Sequence, residues 1–142
     1  MATHAGDGEE ALAKAGGVDL MILDIEMPYM NGIDFLRQAE VLARLSRVLP
    51  AEALRHAREE ARPYECDGLS AYRQLPMLVA LPGNEEEVGA VLSICHELSV
   101  PVVARGAGTG LSGGALPLGN GVLLSLARMM SRPFFSPGRV AR

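Results

Sequence analysis

A glycine-rich segment in the C-terminal third of the chain has the residue types of an anion-binding loop. Residues 105–114 read Arg-Gly-Ala-Gly-Thr-Gly-Leu-Ser-Gly-Gly and follow the apolar stretch 101–104. Glycines adopt positive φ and let backbone N–H groups approach a phosphate closely, and the two hydroxyls add donors. The sequence therefore predicts that a phosphate or pyrophosphate binds at Arg105, Gly106, Ala107, Gly108, Thr109, Gly110, Leu111, Ser112, Gly113 and Gly114.

Two common phosphate-binding motifs do not fit this segment. Residues 108–113 satisfy the pattern G-x-G-x-x-G, but a dinucleotide-binding fold also needs a helix here and an acidic residue about 20 positions later. Pro117 interrupts any such helix, and no acid follows Glu97. A Walker A loop needs a lysine after its last glycine, and Lys14 is the only lysine. A glycine-rich hairpin of structural use alone remains the alternative.

A carboxylate at the end of a predicted strand is the second candidate for chemistry. Asp24 follows the apolar residues 20–23, and the segment 27–32, Met-Pro-Tyr-Met-Asn-Gly, is typical of a loop. Strand ends of open α/β sheets face the crevice where ligands bind. Asp24 is therefore expected to face a crevice of the kind where α/β proteins place their chemistry. The structural alternative is a polar strand end.

Charge is distributed unevenly along the 142 residues. Residues 1–40 have a net charge of -6 and residues 41–142 a net charge of +2, and the last acid, Glu97, precedes five arginines. The C-terminal stretch favours an anion, whereas the overall net charge of -4 gives no general attraction to nucleic acid. We expect a small-molecule partner and no nucleic acid.

The number of cysteines and the hydropathy of the chain indicate the cellular compartment. Cys66 and Cys95 are too few for a disulfide framework, and with three histidines they show no zinc spacing, so we expect no metal site. The first thirty residues have no basic start and no long apolar run, so we expect neither a signal peptide nor a membrane span. These features favour the cytoplasm. A chain of this length forms one core rather than two complete domains.

The hydrophobic pattern predicts an α/β fold. A strand, a helix capped by Asn84 and a second strand form a βαβ unit whose strands are expected to be parallel, and residues 51–74 give no clear pattern. The predicted helices are 7–15, 33–48 and 85–98, and the predicted strands are 18–23, 77–81, 101–104 and 122–126.

The N-terminal part resembles a response-regulator receiver domain. The residues responsible are Asp-Gly-Glu-Glu-Ala-Leu at 7–12 and Leu-Asp-Ile-Glu-Met-Pro-Tyr-Met-Asn-Gly at 23–32, within residues 3–38. The resemblance implies that Asp24 is a phosphoacceptor assisted by Mg²⁺. The family's acidic metal-binding pair, its hydroxyl residue and its lysine have no counterpart in this chain, so the resemblance covers only a middle fragment.

Residues 41–142 resemble the N-terminal part of the PCMH-type FAD-binding domain of the FAD-linked oxidases, most closely those of the glycolate-oxidase type. The matching segments are 62–73, 95–96, 101–117 and 121–128. The resemblance implies that residues 105–114 hold the pyrophosphate of FAD, with other oxidase subunits as partners. It assigns no catalytic residue, because the family's flavin-ring and substrate segments correspond to positions beyond Arg142.

The two resemblances together indicate a fusion of two partial domains with a seam near residues 38–42. The expected fold is a truncated receiver-like α-β-α segment, residues 1–40, before a partial FAD-binding βαβ subdomain, residues 41–142. The preferred function is FAD binding in a flavoprotein that oxidises 2-hydroxy acids, inactive as this chain alone. A receiver-like module phosphorylated on Asp24 and a chimeric fragment without a ligand are the alternatives.

We predict that Asp24 accepts no phosphoryl group. Without an acidic pair to bind Mg²⁺ and a lysine nearby, the charge of the transferring group is not balanced. Intact mass measured after incubation with acetyl phosphate and Mg²⁺ should show no adduct. A stoichiometric adduct that disappears in Asp24→Asn would contradict this prediction.

Overall fold

Four short strands form one mixed sheet against which the helices pack. The computed structural model describes residues 4–16, 21–22, 30–68 and 71–130. The strands are β1 (Leu54–Arg55), β2 (Leu78–Ala80), β3 (Val102–Arg105) and β4 (Val122–Ser125). The helices are α1 (Gly8–Lys14), α2 (Gly32–Leu45), α3 (Arg58–Ala61), α4 (Glu85–Glu97) and α5 (Ala127–Met130), with 3₁₀ turns at Ala51–Ala53 and Arg62–Tyr64.

The strand order is β1-β2-β4-β3, so the last strand in sequence lies inside the sheet. Strand β4 is parallel to both neighbours, with Val122 opposite Leu78 on one side and Val102 on the other. Strand β1 pairs antiparallel with β2. All four residues of β4 are buried, as expected for an apolar strand covered on both faces, whereas β3 is a half-buried edge strand.

Helix α4 has the strongest local signals for its boundaries. The Asn84 side chain accepts a hydrogen bond from the Glu87 N–H at 2.8 Å, and the Glu87 carboxylate accepts one from the Gly83 N–H at 2.7 Å. The first bond satisfies an N–H group that the first turn of a helix leaves open, and the second ties the residue before the N-cap to that turn. The helix buries Val91, Ile94 and Cys95 against the sheet core.

Helix α2 extends without a break across the predicted seam at residues 38–42. Asn31 caps it by accepting from the N–H groups of Ile33 and Asp34 at 3.0 and 2.9 Å. The Arg44 guanidinium pairs with the Glu97 carboxylate of α4. The C-terminal half of α2 joins the same hydrophobic core as the sheet through Val41 and Leu45. The core therefore includes residues from this helix as well as from the βαβ unit.

Most predicted elements are confirmed, with end points that differ by up to three residues. The βαβ unit is confirmed in the direction of its strands, but the structure corrects its arrangement, because β4 lies between β2 and β3. Residues 51–74 are more regular than expected, since they contain β1 and α3. Pairing with β2, a distant segment, makes a two-residue strand of Leu54–Arg55.

The N-terminal strand predicted at residues 18–23 is wrong where the structure describes it. Met21 and Ile22 form no strand, and the Ile22 side chain is 91% exposed rather than buried. The remaining residues of that prediction, and Asp24 itself, lie outside the described residues. Within the described part of the chain, no helix is long and apolar enough to cross a membrane.

The central strand should contribute most to the stability of this fold. Leu123 is fully buried on β4, so we expect Leu123→Ala to lower the free energy of unfolding by about 2–5 kcal/mol through lost burial and a residual cavity. Leu92 on α4 is 44% exposed, and Leu92→Ala should cost about 0.5 kcal/mol. Urea titrations monitored by circular dichroism test both. Equal costs would contradict the assigned core.

Candidate functional site

The glycine-rich loop starts at the carboxyl end of β3 and connects to the amino end of β4. Because these strands are parallel, residues 106–121 must cross the length of the sheet instead of turning back. The Leu126 N–H donates to the Arg105 carbonyl at 2.9 Å, and the Val122 N–H donates to the Pro101 carbonyl at 2.9 Å. The connection is therefore not a hairpin.

The backbone of the loop adopts conformations that favour glycine at two positions. Gly108 has a φ of 70° and Gly113 a φ of 72°. The Gly113 carbonyl accepts a hydrogen bond from the Leu116 N–H at 3.1 Å, which closes a turn at the end of the loop. Among described residues, the N–H groups of residues 106–115 donate to no backbone or side-chain acceptor. With respect to the described residues, the loop thus has a row of open donors.

The predicted site residues differ in their exposure. Thr109 and Ser112 are exposed and make no hydrogen bond with the described residues, and the Leu111 side chain is 72% exposed. Arg105, Gly108 and Gly113 are half-buried. The other members of the loop are exposed, namely Gly106, Ala107, Gly110 and Gly114. The hydroxyls and the open N–H groups are accordingly accessible to a ligand.

The Arg105 side chain, expected at the loop entrance as an anion-binding group, makes contacts with another segment of the chain. Its Nη1 donates to the carbonyl oxygens of Tyr64 at 3.3 Å and Cys66 at 2.5 Å. Its guanidinium carbon lies 5.8 Å from the centre of the Tyr64 ring, within cation–π range. The side chain therefore links the loop to the chain around residues 64–66.

Gly68 makes a second contact between that segment and the loop. A Cβ placed on Gly68 would lie 2.8 Å from the carbonyl oxygens of both Thr109 and Gly110. Sequence reasoning missed this role, because residues 51–74 gave no clear pattern. The one available signal was the Asp67-Gly68 pair, which is typical of a turn. The neighbouring Asp67 is 5% exposed, which is unusual for an acid.

The positive charge expected after Glu97 is only partly described. The Arg128 Nη1 donates to the Leu81 carbonyl at 3.2 Å, and the other arginines of this stretch after Arg105, at positions 132, 139 and 142, lie outside the described residues. Within the described part, the cation attached to the loop is Arg105.

Cysteine and metal chemistry find no support in the described residues. Burial raises the pKa of the Cys95 thiol, so the protonated, unreactive form predominates at neutral pH. Cys66 is half-buried, and its backbone carbonyl, not its thiol, accepts the hydrogen bond from Arg105. No group of three histidine, cysteine or acidic side chains that could hold a metal occurs among the residues described.

A cleft of about 320 Å³ lies away from the residues of the predicted site. Its walls come from the N-terminal half of α2, from His56 and α3, and from the residues just before β2 and β4. No residue of the 105–114 loop lines it. The cleft and the loop are therefore separate features of the fold.

Sequence comparison connects the loop with flavoproteins. Residues 76–139 match the FAD binding domain family. The chain is 56% identical over 106 residues to glycolate oxidase subunit GlcD of Escherichia coli (strain K12), covering 74% of this chain and 21% of the relative. It is 47% identical over 64 residues to D-lactate dehydrogenase of Archaeoglobus fulgidus, covering 45% of this chain and 14% of that enzyme.

Comparison with solved structures supports the fold. The 4-ethylphenol oxidase from Gulosibacter chungangensis aligns with a TM-score of 0.59 and 24% identity over 78% of this chain and 21% of that chain. The p-cresol methylhydroxylase structure aligns with a TM-score of 0.57 and 19% identity over 77% of this chain and 21% of that chain. The receiver-like resemblance of residues 3–38 receives no support from these comparisons.

The family match contains β2 to β4 and the whole glycine-rich loop, and FAD is the cofactor of the matched domain. The chain spans about a fifth of the length of the GlcD relatives it matches. On its mixed α/β fold, this chain therefore contains part of an FAD-binding domain homologous to that of glycolate oxidase subunit GlcD and D-lactate dehydrogenase.

Proposed function

We propose that the loop from Arg105 to Gly114 binds the pyrophosphate of FAD, as part of a glycolate-oxidase-like flavoprotein that acts on 2-hydroxy acids. The observation that most directly supports the proposal is the row of N–H groups in residues 106–115 that donate to no described acceptor. Open N–H groups in a glycine-rich turn form a concave anion site. The position of this loop inside the family match supports the same ligand.

The chemistry of the loop fits a diphosphate. Thr109 and Ser112 are exposed hydroxyls that donate to phosphate oxygens. Arg105 keeps one positive charge beside the loop, although its Nη1 is bonded to backbone carbonyls. We assign the balance of the diphosphate charge to the backbone N–H donors and this guanidinium.

The residues of this chain bind and orient the cofactor in the proposed function. The flavin, when bound, supplies the two-electron oxidation of a 2-hydroxy acid. We assign no catalytic residue in this chain and propose that further oxidase subunits or segments provide the substrate site. Such an assembly requires no membrane span from the described residues, and we propose a cytoplasmic location.

We also propose that the chain joins a receiver-like segment, residues 1–40, to the partial FAD-binding domain, residues 41–142. The support is the receiver-like pattern within residues 3–38, and the unbroken helix α2, Gly32–Leu45, is compatible with a join at residues 38–42. The proposal assigns no activity to Asp24, which lies outside the described residues.

Substituting Gly108 should abolish binding of FAD and ADP. Its φ of 70° disfavours any side chain, and a Cβ there would lie 2.5 Å from the Arg105 Nε and 2.7 Å from Cζ. We expect Gly108→Val to lower affinity at least ~100-fold, equivalent to about 2.7 kcal/mol of binding free energy, with a change in Tm of a few degrees. Calorimetric titration with FAD and ADP measures this.

The matched control is Gly89→Ala, in which the new Cβ on α4 meets no atom within 4 Å. Its affinity should equal that of the wild type. Equal affinity of wild type and Gly108→Val for both ligands would show that the loop does not hold the pyrophosphate.

The isolated chain should not oxidise 2-hydroxy acids. This reaction needs a flavin ring held against the substrate and a base for the hydroxyl proton, and this chain covers only 21% of its GlcD relative. Dye reduction with glycolate or lactate and added FAD should equal a control with free FAD. Turnover above that control would contradict the assignment of catalysis to other segments.

A further inference from the structure

We propose that residues 64–68, which we call the support segment, set the anion affinity of the glycine-rich loop without contacting the anion. The proposal rests on the proposed function of the loop and adds a role for a segment that has none so far. It also makes Arg105, at the entrance of the proposed site, a positioning residue whose charge lies beside the anion rather than a group that contacts it. Three contacts between the support segment, Arg105 and the loop lead to this inference.

The first contact is the pair of bonds from one guanidinium nitrogen. Arg105 Nη1 donates to the carbonyl oxygens of Tyr64 and Cys66, at 3.3 and 2.5 Å. Hydrogen bonds from a charged donor are about twice as strong as neutral ones. The Tyr64 ring lies 5.8 Å from the same guanidinium and restricts it further. The side chain is thereby held to the support segment before any ligand arrives.

The second contact fixes Gly108 against that guanidinium. A Cβ at Gly108 would approach both Nε and Cζ of Arg105 to 2.7 Å or less. Real Cβ atoms do not approach other atoms this closely, so a side chain at position 108 would displace the guanidinium from this place. Gly108 also has a positive φ, which glycine adopts at little cost. The guanidinium therefore lies between the support segment and the first turn of the loop.

The third contact determines which side of the loop presents donors. The carbonyl oxygens of Thr109 and Gly110 lie against Gly68, each 2.8 Å from the position a Cβ would take. A trans peptide directs its C=O and N–H to opposite sides. The N–H groups of Gly110 and Leu111 consequently lie on the side away from the support segment. The carbonyl oxygens of Thr109 and Gly110, which would repel an anion, therefore face the support segment. The N–H groups of Gly110 and Leu111, which donate to no described acceptor, face the opposite side, where an anion can bind.

The support segment therefore raises the affinity of the glycine-rich loop for an anion by ordering the loop before the anion binds. A loop that is already ordered loses less conformational entropy when it binds, so the same donors bind an anion more tightly. A direct ligand role for Arg105 would leave the free loop unchanged when the side chain is removed. A positioning role requires that the free loop itself become more mobile. The two roles can thus be distinguished without any ligand.

The first experiment is a calorimetric titration of the full chain with ADP. In Gly68→Ala, the added methyl group displaces the Thr109 and Gly110 peptides, and we expect at least a tenfold loss of affinity. Gly89→Ala is the matched control, because its Cβ meets nothing within 4 Å, and it should bind within twofold of wild type. Unchanged affinity in a folded Gly68→Ala variant would overturn the proposal.

The second experiment measures ¹⁵N order parameters of residues 106–112 in the unliganded chain. We expect values near 0.85 in the wild type, typical of rigid backbone, and below about 0.6 in Arg105→Gln. Arg105→Lys should partly restore the order, because an ammonium group can still donate to both carbonyls. An Arg105→Gln variant with reduced ADP affinity but wild-type order parameters would make Arg105 a direct ligand and overturn the proposal.

The two experiments also separate this proposal from the proposed function. If the wild-type chain binds neither ADP nor FAD, the proposed function fails. The order parameters still test the support segment in that case, since they require no ligand. If the order parameters fall in Arg105→Gln while the Tm stays unchanged, the role proposed for residues 64–68 is confirmed. If the order parameters stay at the wild-type values, that role is refuted.

Discussion

The parallel pairing of β3 and β4 is the constraint on which the loop and its contacts depend. Parallel neighbours cannot be joined by a tight turn, so the chain between Arg105 and Val122 must cross from one end of the sheet to the other. In most α/β proteins a helix makes this crossing. Here an irregular, glycine-rich connection does so, and among the described residues the N–H groups of its first part, residues 106–115, lack the internal hydrogen bonds that a helix would provide.

A connection with open backbone groups needs support from another part of the chain. The position of β3 at the edge of the sheet leaves room for residues 64–68 beside the loop. Arg105, the last residue of β3, bonds to that segment, and Gly68 packs against the loop backbone. The carbonyls are thereby kept on one side, and the N–H groups remain available on the other. The anion-binding role that we propose for the loop thus rests on the strand order through these steps.

Local patterns in the sequence predict most elements of this fold because their causes are local. Helix α4 is predicted almost to the residue, since Asn84 and Glu87 form its cap and its apolar face has helical spacing. The buried strand β4 is predicted from a continuous apolar run. The candidate loop is predicted from its glycines and hydroxyls, and the comparisons place it in an FAD-binding domain.

Properties that depend on distant segments could not be predicted in the same way. The insertion of β4 between β2 and β3 results from long-range pairing, and no residue of β4 encodes its neighbours. Strand β1 has only two residues and exists because β2 pairs with it. The contacts of Arg105 with Tyr64 and Cys66 join residues about forty positions apart, so the sequence neighbours of Arg105 gave no indication of them. The N-terminal strand was expected from an apolar run, yet Ile22 is exposed.

The most direct test of this account is a map of backbone amide chemical shifts during titration with ADP, with adenosine as the control. The account predicts that the largest shifts fall on residues 106–114, that ADP causes them, and that adenosine, which lacks the phosphates, does not. Shifts confined to the cleft beside α2, or equal shifts with adenosine and ADP, would contradict the assignment of the glycine-rich loop as a pyrophosphate site.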